Sequence, residues 1–328
     1  MPGSGLEPDI NVNFYLVGMT NTVENELFDY HPIGQRPPIS WPGGARVAVY
    51  IGLNVEHFLV GRPSTSIWPG TADLVPDALN YGWRDYGPRV GIWRTIESLD
   101  RHGIRASVLL NSAAAEHYPQ IIKAGLDRNW AWLAHGRTNS ILQADMTRDE
   151  ERRFLIAVVD TIATATGQRP RGWMGPGLTE TFNTPALLAE LGLSYLLDWT
   201  NDDQPYQLNV PGMISIPYSV ELNDLLLFGK GTTGPEFVQI VKDQYEQLHA
   251  DSEHSGRVMA LALHPFVTGQ PFRHKYLDQA LEHLATRPDI WLTTSDEIAE
   301  HYQRTLENRR PRPGHGLGAA AGYRSRTA

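Results

Sequence analysis

Proton-carrying and cation-binding side chains stand at the ends of several apolar runs. Asn54 lies near the end of RVAVYIGLNV with Glu56 and His57 just after it, His135 and Asn139 follow WAWLA within HGRTN, Asp198 ends SYLLD, and His264 follows VMALAL just before a proline. Asn54 and Glu56 are two residues apart, so extended backbone projects both to one side and His57 to the other. A carboxylate with an imidazole is the minimum equipment for taking a proton from water and giving one to a leaving group. Glu56, His135 and His264 are therefore the candidate catalytic groups. Asn54, Arg89, Asn139, Trp173 and Asp198 are candidates for holding a small-molecule substrate. Arg89 offers a planar fork for an anionic or ureido group, and Trp132, Trp173 or Trp199 could form a wall against a ring. Glu56, His135 and Asn139 are the candidate ligands if a metal binds, zinc being the one such donors suit. Asp198, Asp202 and Asp203 in DWTNDDQPY include a candidate for the carboxylate that orients a histidine.

These residues need a frame. The chain has 328 residues, 41% apolar and 20% charged, enough to bury a sizeable core. It has no cysteine, which excludes disulfides, thiolate metal sites and a cysteine nucleophile. A formal charge of −9 gives no support for a nucleic-acid partner. No apolar run approaches the ~20 residues of a membrane span, and MPGSGLEPDINVNF lacks the pattern of a signal peptide. A cytoplasmic protein with neither membrane nor nucleic-acid partners is the expectation.

About eight short apolar strands alternate with helical patterns from Arg46 to Glu307. Such alternation predicts a parallel sheet with right-handed crossovers, closed or nearly closed into a single-domain α/β barrel. A doubly wound open sheet is the alternative, although no G-x-G-x-x-G follows a strand and GPGLTE lacks the phosphate-loop lysine. In a barrel the loops after the strands surround one mouth, which would gather the residues above. Residues 1–36, which lead into the proline- and glycine-rich stretch HPIGQRPPISWPGG, read as an extended arm. Residues 37–306 read as the barrel. Residues 307–328, with Arg309, Arg310, Arg312, Arg324 and Arg326, read as a flexible basic tail.

The order GLNVEHF, HGRTNS, RPRGWMGPG, SYLLDWTNDDQPY and LALHPFVTGQP, spread over residues 37–306, resembles the polysaccharide deacetylase superfamily with its NodB-type distorted barrel. Its deacetylases carry Asp-x-Asp, a base and a metal ligand, followed by His-x-x-x-His, which completes the metal site. Asn54, Glu56, His135 and Asn139 stand at those positions here, so the base is an amide and one metal histidine is lost. The N-x-E pattern, the segment DYGPRVGIWR with Tyr86, Gly87, Arg89, Gly91 and Arg94, and the retained His264 resemble the branch of cofactor-independent allantoinases and cyclic imide hydrolases.

That resemblance implies a hydrolase of carbon–nitrogen bonds in a small, cyclic amide, imide or ureide, working as a homo-oligomer with no metal or a weakly bound divalent one. Glu56 would be base or ligand, and His264 the acid for the leaving nitrogen. His135, Asn54 and Asn139 would steady the oxyanion or hold the metal. A metal-dependent aminosugar deacetylase and a non-catalytic ligand-binding barrel are the competing readings. The irregular segment 57–86 would cover the mouth.

Overall fold

A computed structural model describes residues 25–309. Nine strands form one sheet: β1 (Val47–Val55), β2 (Ala106–Leu110), β3 (Ala131–Ala134), β4 (Gly172–Trp173), β5 (Tyr195–Leu196), β6 (Tyr206–Gln207), β7 (Ile214–Ser215), β8 (Arg257–Leu263) and β9 (Ile290–Thr293). The order along it is β6-β7-β5-β4-β3-β2-β1-β8, with β9 also on β1. Every pairing is parallel except β6 with β7. β8 runs beside Val47–Leu53 on one edge of β1, while β9 (Val47–Tyr50) and β2 (Ile51–Val55) share the other, end to end. Among the described residues no strand closes the ring between the edge strands β6 and β8. Loops serve instead: Val258 N donates to Asp203 O (2.9 Å) and Ala262 N to Leu222 O (3.0 Å). The architecture is the expected barrel in an incompletely closed form.

β1 shows how the sequence builds it. All nine residues are buried, as a β-branched run in a doubly covered parallel strand requires. Val47, Val49, Ile51, Leu53 and Val55 pack under the surrounding helices, while Ala48 and Tyr50 face the barrel interior. The two-residue period carries the interior row on through Gly52 and Asn54 to Glu56. Gly52 is required there, because a Cβ would lie 2.9 Å from the Tyr218 ring that crosses over the strand.

The helices Ile92–Arg101, Arg148–Thr166, Gly234–Asp251, Pro271–Ala285 and Ser295–Arg309 cover the outer face. Arg148–Thr166 starts at a reciprocal cap between Thr147 and Glu150 and stops at Gly167, whose φ of 70° suits glycine. The segment between β2 and β3 forms two helices, Ser112–His117 and Pro119–Leu126, because Pro119 has no N–H to continue the ladder. Segment 57–86, read as irregular, contains the helix Ala78–Tyr86. Among the described residues no helix is long and apolar enough to cross a membrane.

Of the expected arm, residues 25–36 lie on the body. The Phe28 ring packs edge-on against Trp199 at 5.1 Å between centroids, and Arg36 pairs with Asp202 at 2.6 Å. The last helix continues through residues 307–309 rather than ending at 306, and Arg309 donates to Pro38 O. Residues 1–24, and Arg310, Arg312, Arg324 and Arg326 of the expected tail, lie outside the described residues.

Candidate active site

Strand parity assembles the centre. Glu56 extends the interior row of β1, His135 follows Leu133 on β3, and His264 follows Ala260 and Ala262 on β8. His135 Nε2 lies 3.6 Å and His264 Nε2 3.9 Å from Glu56 Oε1. All three side chains are buried. Both spacings exceed a hydrogen bond, so neither Nε2 is paired directly with the carboxylate.

Each imidazole is oriented by its other nitrogen. His135 Nδ1 sits 2.7 Å from Met174 O, which can only accept, so Nδ1 carries a proton and Nε2 of the neutral ring is an acceptor. Among the described residues that Nε2 has no hydrogen-bond partner. His264 Nδ1 lies 2.7 Å from Asp224 Oδ1, and the carboxylate also accepts from His264 N (2.8 Å) and Thr268 Oγ1 (2.8 Å). Burial by itself would depress the His264 pKa. The facing Asp224 carboxylate, with Glu56 behind it, outweighs burial and leaves it raised.

Glu56 is held by an amide chain whose polarity is set from the backbone outward. His57 N donates to Asn111 Oδ1 (2.8 Å), so the Asn111 amide nitrogen points the other way, to His135 O and to Asn139 Oδ1 (2.9 Å). The Asn139 NH2 group is thereby turned onto Glu56 Oε1. Asn54 Nδ2 donates to Leu263 O (3.1 Å) and Tyr218 OH (3.3 Å) on the interior side. His57 faces away, stacked on His117 at 4.5 Å.

The proposed metal ligands do not fit a metal. Asn139 presents N–H, not oxygen, to the centre, and its oxygen is spent on Asn111. Among the described residues no group of three or more His, Asp or Glu side chains is placed to hold an ion.

Three further expectations fail, two of them through parity. Trp173 is fully buried in the layer between sheet and helices, because 172 and 174 are the interior positions of β4. Asp198 falls on the outer parity of β5 and accepts from Gly175 N (2.7 Å). It lies beside Glu180. Burial and then that neighbouring carboxyl push Asp198 well up, and burial pushes Glu180 up to about 7. Arg89 points outward, its side chain 74% exposed and paired with Asp85 one turn earlier. Trp132 is core, Trp199 is covered by Phe28, and Asp202 ties down the arm. The carboxylate that orients a histidine is Asp224, which the sequence reading missed. NDLLLFG reads as a cap and an apolar turn, with nothing to connect it to a strand 40 residues on.

A cavity of about 1320 Å³ lies between the arm and the open side of the barrel. It shares Tyr218 with the centre, but Glu56, His135 and His264 do not line it.

Comparison with known proteins agrees with this geometry. Residues 84–196 match the family model for polysaccharide deacetylases. A putative polysaccharide deacetylase of Schizosaccharomyces pombe is 23% identical over 307 residues, covering 82% of this chain and 93% of its own length. Both matches make the chain similar to the polysaccharide deacetylases. Among solved structures of similar fold, the PuuE allantoinase superposes with a TM-score of 0.76 at 25% identity, over 85% of this chain and 99% of its own. A probable polysaccharide deacetylase from Pseudomonas aeruginosa PAO1 gives 0.75 at 25% identity, over 83% and 95%. Within the superfamily fold, Glu56, His135 and His264 each follow a different strand of the common sheet and meet in one place.

Proposed function

We propose that this protein hydrolyses a carbon–nitrogen bond other than a peptide bond in a small cyclic amide, imide or ureide, with Glu56 as general base and His264 as general acid. The observation that carries the reading is the convergence of two differently prepared groups. The Glu56 carboxylate is steadied by an amide N–H, and the His264 imidazole, its pKa raised by buried Asp224, has its Nε2 3.9 Å away from that carboxylate. The likeness to the PuuE allantoinase supports the choice of substrate class.

A water at the centre can donate one hydrogen to Glu56 and the other to His135 Nε2, which turns an oxygen lone pair towards a substrate carbonyl. As the water oxygen bonds to the carbonyl carbon, its proton passes to Glu56. The C–N bond then breaks as His264 Nε2–H gives its proton to the departing nitrogen. The products are a carboxylic acid, which keeps the second water hydrogen and ionises to solvent, and a free N–H group (amine, amide or urea according to the substrate); one water is consumed, and the proton gathered by Glu56 restores His264. No step requires a metal.

The test is a substrate panel. Hydantoins, dihydropyrimidines, succinimide and allantoin are offered alongside acetylated chitooligosaccharides, with ring opening and acetate release measured separately. Ring opening without acetate release is expected. Acetate release that needs added zinc would make the protein an aminosugar deacetylase instead.

A further inference from the structure

Addition of water to a carbonyl puts negative charge on its oxygen, while Glu56 is committed to the water and His264 to the nitrogen. Arg84, a residue that composition and spacing did not single out, lies beside the base, lining a cavity with Glu56. Its side chain comes from the helix Ala78–Tyr86 and is 2% exposed. It lines a small cavity together with Asn54, Glu56, Ile92, Pro265 and Phe266, so Arg84 and Glu56 border one space, next to the residue that follows His264, although neither His135 nor His264 lines it. That cavity is on the scale of one water molecule. It suits a single oxygen atom of a substrate and excludes a whole ring.

The guanidinium is fixed but incompletely used. Nη1 donates to Thr65 O, and the group lies over the Phe58 ring at 4.9 Å. Among the described residues Nε is buried without any hydrogen-bond partner. An orphaned donor on a buried cation is costly unless something accepts from it. Arg84 makes no salt bridge with a carboxylate among the described residues, so its charge is not neutralised by direct contact. Burial depresses its pKa, with Asp77 and Glu56 opposing, as expected of a cation held in a poorly solvated place. Arg89, the arginine offered from the sequence as a substrate grip, is instead exposed and paired with Asp85.

We propose that Arg84 is a catalytic residue: it binds the substrate carbonyl oxygen and stabilises the oxyanion formed when water adds. This rests on the hydrolytic reading and extends it. The substrate class narrows to amides, imides and ureides whose reactive carbonyl can enter a pocket between a carboxylate and a guanidinium. The nitrogen leaves towards His264 while the oxygen stays with Arg84.

The test uses the full chain carrying Arg84→Met, Arg84→Lys or Arg84→Ala. Thermal unfolding separates loss of the Thr65 and Phe58 contacts from loss of chemistry. Removing one oxyanion donor typically lowers kcat on the order of 10²–10³-fold. A fall of that size is expected for Arg84→Met with KM little changed, a smaller fall for Arg84→Lys, and partial recovery of Arg84→Ala on adding guanidinium chloride at millimolar concentration. Recovery by guanidinium is a response that a packing role does not produce.

A second arm does not depend on turnover. Methylphosphonate, a small tetrahedral oxyanion, should bind the wild type at least about tenfold more tightly than Arg84→Met, in line with a lost charge-assisted hydrogen bond. Equal binding by the two proteins, or a kcat within about threefold of wild type in folded Arg84→Met, overturns the assignment. If methylphosphonate discriminates but no amide on the panel is hydrolysed, the oxyanion site stands and the hydrolytic reading falls.

Discussion

Replacing Asp224 by asparagine tests how His264 is prepared. The substitution keeps the shape and removes the charge. The amide oxygen of the new side chain could still accept from His264 N and Thr268 Oγ1, each 2.8 Å from the native carboxylate, but the negative charge opposite Nδ1 at 2.7 Å is gone. A hydrogen bond to a charged group is worth about 1.5–3 kcal/mol. If the imidazolium needs that bond while protonating nitrogen, kcat falls about 10- to 150-fold, at about 1.36 kcal/mol per tenfold.

The pH dependence has a definite sign. Asp224 and Glu56 hold the His264 pKa above its ordinary value against the effect of burial, so the acid form persists to higher pH. With Asp224 neutralised, burial dominates, and the alkaline limb of the kcat profile must move to lower pH. Stability follows the same linkage. A histidine raised on folding stabilises fully below its unfolded pKa of about 6.5, and that contribution is lost as pH rises through the folded value. The gap in Tm between wild type and Asp224→Asn should therefore widen as pH is lowered through neutrality. Stopped-time assays across pH, paired with calorimetry, give both readouts. An alkaline limb that stays in place, with kcat within about threefold, would refute the assignment of His264 as an acid prepared by Asp224.

Three other outcomes follow from the geometry. Exhaustive dialysis against a chelator is expected to leave kcat within about twofold, because Asn139 offers N–H where a ligand atom would be needed; loss of turnover with recovery on zinc would count against this. Arg89→Ala should change neither kcat nor KM beyond about twofold in steady-state assays, since its partner Asp85 is one turn away on the surface. Gly91→Ala should destabilise by about 1–3 kcal/mol in denaturant titrations, because its Cβ would run into the carbonyl of Pro265, and turnover should fall with it as His264 is displaced.

The barrel was legible in the sequence because its buried parallel strands are continuous apolar runs, and eight of the nine strands fall within the runs expected. The two-residue strand Tyr206–Gln207 carries no such pattern. Glu56, His135 and His264 were legible as polar ends of those runs. Strand-end proximity alone also admitted Trp173 and Asp198, which the alternation along β4 and β5 places on the other face. Applied throughout, that parity excludes both and adds Asn111, the residue that sets the polarity of the Glu56 amide chain. Asp224 and Arg84 lay beyond this reasoning. Both reach the centre from helices, and their placement depends on tertiary packing between segments distant in sequence. Arg84 and Arg89 look equivalent in WRDYGPR, yet five residues of helix turn one inward and the other out.

The most direct test of the account is hydrolysis in oxygen-18 water, followed by mass spectrometry of the product, for wild type and Glu56→Gln. The account predicts a ring-opened product heavier than the cyclic amide by one molecule of labelled water, with the label in the new carboxylate, and no such product from folded Glu56→Gln. Ring opening that survives Glu56→Gln, or a wild type that leaves every cyclic amide intact while releasing labelled acetate from an acetylated sugar, would contradict it.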